Sequence, residues 1–105
     1  MDNISSTSAG APQRIEPGSI AAQIVDIVIE IIGEDAASFL VFTKESSFIN
    51  DLEMDSIQVI RLSKRVNELY GDQVDLIGWL SKRPVNELLT LTIGDVSSFV
   101  EEGSR

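Results

Sequence analysis

"NDLEMDSIQVIRL", residues 50–62, sets an acidic approach, a serine and the first apolar positions of a repeat in one short run. From there Val59, Leu62, Val66 and Leu69 follow 3, 4, 3 spacing, the pattern of a helix with one stripe turned to a core. Asp55 is suited to cap that helix, and Gln58 at the third helical position completes a capping-box pattern. The spacing predicts a helix over Ser56–Tyr70 that stops at Gly71. On local chemistry alone, an Asp-Ser pair at a helix start needs only the role of satisfying free N–H groups.

Upstream, Ile20, Ile24, Ile27, Val28, Ile31 and Ile32 recur at helical spacing, with Ser19 as N-cap and Gly33 as stop. Between the two helices lies a long connection, roughly residues 34–54, with the apolar knot "FLVF" at Phe39–Phe42 followed by Phe48, Ile49 and Leu52. A loop this long and apolar is expected to pack onto the helices. A short strand at Phe39–Phe42 is an alternative, with no evident partner. Downstream, Gly78 and Pro84 divide "VDLIGWLSKRPVNELLTL" into a short helix near Asp75–Lys82 and another beginning at Pro84. Thr92 caps the last helix and Asp95 answers it, with Val96, Phe99 and Val100 facing inward and the end by Gly103. The expectation is all-α: a small four-helix bundle with a long first loop and an extra short helix before the last. Residues 1–18 read as a flexible tail or linker, 19–102 as the domain and 103–105 as a C-terminal tail.

With 17 acidic against 8 basic residues the formal charge is −9. A phosphate backbone needs clustered Lys and Arg, so nucleic acid and anionic membrane are disfavoured. The chain has no cysteine and no histidine, which removes disulfides, thiolate nucleophiles, Cys/His zinc sites and a Ser-His-Asp triad. No basic segment followed by an apolar run opens the sequence, and Ile20–Ile32 is too short and too interrupted by charge to span a bilayer. A cytoplasmic monomer without membrane insertion is expected.

In "SSFINDLEMDSIQVIRL", Ser47 and Phe48, Asp51 and Leu52, and then Asp55, Ser56 and Ile57 fall in a recognisable order. The segment resembles the carrier-protein family, the acyl and peptidyl carriers, whose pattern is a serine- and phenylalanine-containing loop, then Asp-Leu-Gly-x-Asp-Ser-Leu opening an amphipathic helix. "TIGDV", Thr92–Val96, resembles that family's approach to its last helix, and the similarity runs from about Ile20 to Glu101. The resemblance implies that Ser56, flanked by Asp55, is the attachment site for 4′-phosphopantetheine, whose thiol holds cargo as a thioester. The protein would be a non-catalytic shuttle. Its implied partners are a phosphopantetheinyl transferase, an acyltransferase or other loading enzyme, and a ketosynthase or other synthase enzymes. The reading is an acyl carrier protein of polyketide or specialised fatty-acid biosynthesis. Its alternatives are a peptidyl carrier of nonribosomal peptide synthesis and, in a different class, a helical interaction module without a prosthetic group.

The sequence departs from the pattern in three places. Glu53 stands where the family commonly has glycine, so the turn before Ser56 is expected to form without that residue's freedom. The second helix, typically acidic in fatty-acid carriers, here bears Arg61, Lys64 and Arg65, with Glu68 its only acid. Ile57, Gln58, Arg61, Lys64 and Arg65 are therefore the expected partner-binding residues, for a partner of different charge. The segment before the last helix is longer than usual and holds Trp79, whose expected role is packing. A sheltered lipid chain between the helices would be lined by Ile60, Leu62, Val66, Leu80 and Leu88.

Overall fold

The computed structural model describes residues 15–71 and 73–104. Residues 1–14 of the expected tail, and Arg105, lie outside the described residues. Among the described residues six helices follow one another: α1 Ile20–Ile32, α2 Glu34–Ala37, α3 Ser56–Tyr70, α4 Leu76–Ser81, α5 Val85–Leu89 and α6 Ile93–Gly103. The fold is the expected all-α bundle, with α1, α3 and α6 as its long members.

The helix starts follow from their caps. Ser19 Oγ accepts from Ala22 N at 3.1 Å. Asp55 and Gln58 form a reciprocal box, Gln58 N donating to Asp55 Oδ1 at 2.8 Å and Asp55 N to Gln58 Oε1 at 3.0 Å. Thr92 and Asp95 repeat the arrangement at the start of α6, both bonds at 3.1 Å. Each such cap contributes about 1 kcal/mol by pairing an N–H that the helix leaves open.

The long helices bury one stripe each: Ile24, Ile27 and Val28 of α1, Val59, Leu62 and Val66 of α3, and Ile93, Val96 and Val100 of α6. α1 packs against both α3 and α6, while α4 packs against α3. Leu69, expected in the α3 stripe, is instead 52% exposed. With 3.6 residues per turn, the residue about three turns from Val59 is Tyr70, and Leu69 falls roughly 80° to one side. Tyr70 packs half-buried against the core and donates its hydroxyl to Gln23 Oε1, and burial raises its pKa. Ser63, buried in the same stripe, satisfies its hydroxyl on Val59 O at 3.0 Å.

The first connection departs from expectation in two ways. It contains the short helix α2, and its "FLVF" knot is only half packed. Leu40 and Phe42 lie against the core, whereas Phe39 is 88% and Val41 82% exposed. Phe39 lies in the turn that ends α2, where Phe39 N donates to Ala36 O (3.2 Å) and Leu40 N to Ala37 O (3.0 Å), and this turn brings Leu40 to the bundle while leaving Phe39 outside. No strand forms among the described residues, where an isolated bridge pairs Ser47 with Thr92. Around it, Phe48 N donates to Leu91 O (3.0 Å), Ile93 N to Ser46 O (3.0 Å) and Gly94 N to Lys44 O (2.8 Å). A Cβ at Gly94 would lie 3.0 Å from Lys44 O, so the close approach of loop and helix favours glycine there.

Trp79 has the expected packing role. It is half-buried, stacks on Phe99 at 4.5 Å between centroids and 15° between planes, and carries the Arg83 guanidinium at 4.1 Å on its ring.

Candidate functional site

The approach to Ser56 is a chain of local hydrogen bonds. Ser47 N donates to Asp51 Oδ2 at 2.8 Å, and Ser47 Oγ accepts from Asn50 N at 3.0 Å and Asp51 N at 3.1 Å. Asn50 Nδ2 reaches Leu89 O at 2.8 Å, tying the turn to α5. Phe48, Leu52 and Met54 are buried beneath it. These residues form a rigid lead-in whose apolar side is anchored and whose polar side pairs with itself.

Glu53 closes this lead-in with φ +58°. The turn therefore forms without glycine, as expected, but keeps the left-handed conformation that glycine adopts freely. A side chain in that region costs about 1–2 kcal/mol, against an unfolded-state advantage over glycine of about 0.5–1 kcal/mol. Glu53→Gly should accordingly stabilise the fold by roughly 0.5–1 kcal/mol in urea unfolding. A lower midpoint for the variant would show that the turn carries no such strain.

Ser56 is the first residue of the 15-residue α3 and is exposed. Gln58 N is taken by the Asp55 carboxylate and Val59 N by Asp55 O. Ser56 N and Ile57 N have no acceptor among the described residues. Two open N–H groups and the positive end of the helix dipole thus lie beside the serine hydroxyl, an arrangement that favours an anion attached there. No general base hydrogen-bonds to Ser56 Oγ among the described residues, and none of their carboxylates cluster as a metal site.

Beside Ser56 opens a cleft of about 290 Å³ between α3, α4 and α5, lined by Val59, Ile60, Ile77, Leu80 and Leu88, with Ser56 on its wall. Its surface is almost wholly apolar. Ile60, Leu80 and Leu88 line it as expected, but Leu62 and Val66 do not: they lie on the flank of the buried stripe turned away from the cleft, whose near edge is Val59 and Ser63. Ile77 and Ser63 were not anticipated. The signal for Ser63 lay in the spacing of Ser56, Val59, Ile60 and Ser63, which share one face of a helix. Ile77 sits in a helix too short to show a period.

The residues expected to bind partners divide into four kinds. Ile57 is 64% exposed, and beside it the cleft-lining Ile60 is 50% exposed. Gln58 is committed to the cap. Arg65 bridges Glu30 at 3.2 Å and Glu68 at 3.0 Å, and hydrogen bonds to Glu30 and then Glu68 raise its pKa. Arg61 and Lys64 are exposed and have no ion pair among the described residues.

A model of the family described as the phosphopantetheine attachment site matches residues 22–80. Among curated proteins, the chain is similar to the meromycolate extension acyl carrier proteins of Mycobacterium leprae (strain TN) and Mycobacterium tuberculosis (strain H37Rv). It is 27% identical to each over 84 residues, which is 79% of this chain and 63% of each relative. The same-named protein of Mycolicibacterium smegmatis is 26% identical over 84 residues, 79% of this chain and 73% of that relative. The chain thus spans less than two thirds of the length of the first two. No solved structure matches it. The matched span covers more than half of the chain and includes the helix start that bears the exposed serine, and the chain belongs to the phosphopantetheine attachment site family.

Proposed function

We propose that the chain is an acyl carrier protein, with 4′-phosphopantetheine attached through Ser56 and acyl intermediates held on the arm. The observation that carries this reading is the position of Ser56: exposed, first in a long helix, beside two N–H groups without acceptors, within the matched family span. These residues fit a phosphodiester, since Ser56 and Ile57 N–H can donate to it and the dipole stabilises it by about 0.3–1 kcal/mol. When bound, the group supplies a terminal thiol that carries cargo as a thioester. The chain's own residues bind and orient. On this reading the modification of Ser56 falls to a separate transferase, in keeping with the absence of a general base hydrogen-bonded to its Oγ among the described residues.

The acyl reading is preferred to the peptidyl one because the similar proteins are named as acyl carriers. An almost wholly apolar cleft beside Ser56 supports it too. At about 290 Å³ that cleft is at the lower end of the range of roughly 300–1,000 Å³ typical of small-ligand pockets. It suits a short or partly inserted chain. Partners on this reading are a phosphopantetheinyl transferase, a loading enzyme and a ketosynthase or other synthase enzymes, in a specialised fatty-acid or polyketide pathway.

The test is incubation of the folded chain with coenzyme A and a broad-specificity phosphopantetheinyl transferase, followed by intact mass and peptide mapping. One phosphopantetheinyl increment is expected, on the peptide holding Ser56. A folded chain that gains no mass, or gains it on another serine, would sink the proposal.

A further inference from the structure

Four residues of α3 share one face next to the proposed attachment serine: Ile57, Ile60, Arg61 and Lys64, at relative positions 0, 3, 4 and 7. The two isoleucines are more exposed than a residue of their kind needs to be, and both flank Ser56 or its cleft. The two cations stand beyond them, about 8 and 12 Å along the axis from Ser56 at 1.5 Å per residue. Arg65, the third cation, is paired with both Glu30 and Glu68, and in the shallow cleft that these residues share Arg61 and Lys64 bring the local charge to +1. This occurs in a chain of net charge −9.

We propose that this face docks a synthase enzyme whose active-site mouth has an apolar rim and, about 8–12 Å to one side, a cluster of Asp or Glu. The inference rests on the carrier reading and adds the charge of the partner. The isoleucines would cover the rim as the arm enters, and Arg61 and Lys64 would pair with the acids. The opposing argument is that a −9 chain should be drawn to basic surfaces. At physiological ionic strength, however, charges beyond about 8 Å are largely screened. The sign at the contact then decides orientation and partner choice, and a basic rim is rejected by Arg61 and Lys64.

The experiment uses one ketosynthase in two forms: with a Lys/Arg-rich rim, and with four of those residues changed to glutamate. The carrier bears a bromoacyl pantetheine arm whose bromide the ketosynthase cysteine displaces, and the crosslinking rate is read at 0.15 M salt. Amide shifts of the labelled chain are titrated in parallel. The acidic-rim enzyme should crosslink about tenfold faster, with shifts centred on residues 57–64. Arg61→Glu with Lys64→Glu should abolish or invert the preference, and both positions are exposed, so the variant keeps its fold. A preference for the basic rim, no preference, or a preference untouched by the double variant each overturns the proposal. If Ser56 accepts no arm, neither enzyme crosslinks and the carrier reading fails first. The shift titration of the unmodified chain still reads the docking face on its own.

Discussion

Phe48→Ala is expected to cost about 3–5 kcal/mol, a large share of the roughly 5–15 kcal/mol by which such domains are stable. Phe48 is fully buried, and its backbone is fixed at both ends by Phe48 N to Leu91 O and Met54 N to Phe48 O. The loop therefore cannot collapse into the space the ring leaves, and a cavity persists. Phe39 lies in the same connection but is 88% exposed, so Phe39→Ala should change stability by no more than about 0.5 kcal/mol. Urea unfolding of the two variants side by side checks the pair. Comparable losses from both would mean that the connection packs differently from the arrangement described.

Ser56→Ala should abolish phosphopantetheine attachment completely while leaving the unfolding midpoint within about 0.5 kcal/mol of the parent. The two effects separate because the capping of α3 is done by Asp55 and Gln58, and not by the serine itself. Ser56 buries nothing that the fold needs, and its exposed hydroxyl makes no hydrogen bond among the described residues. Mass spectrometry after transferase treatment reads the first effect and urea unfolding the second. A variant that still gains the increment would move the attachment to another residue. One that unfolds markedly more easily would show the serine to be structural.

Much of this was legible in the sequence because it is local. The boundaries of α1, α3 and α6 follow from Ser19, Asp55 and Thr92 as caps and from Gly33 and Gly71 as stops, and side chains a few residues apart decide each of them. Asp55 as a cap was legible for the same reason, whereas Ser56 was singled out by the resemblance of its motif to the carrier-protein family. What the sequence hid depends on distant partners or on phase. Leu69 lost its place to Tyr70 through helical drift over three turns. Phe39 and Val41 are as apolar as Leu40 and Phe42, and only the path of the backbone after α2 separates them. The positive φ of Glu53 was concealed because its side chain gives no sign of the backbone it tolerates. The cleft needed α4 and α5, which are too short to reveal a period, to be set against α3.

The bonds joining Lys44, Ser46 and Phe48 to Leu91, Ile93 and Gly94 link points nearly half the chain apart. Closing so long a circuit is entropically slow, and contacts of this range are generally among those that set the pace of folding. Here one of the two strands of that circuit leads directly to Ser56, and the other is the threshold of the final helix. The finished surroundings of the serine thus depend on the segment that opens α6 being in place. A growing chain would present the helix around Ser56 early, but its finished setting only once the last segment has been made.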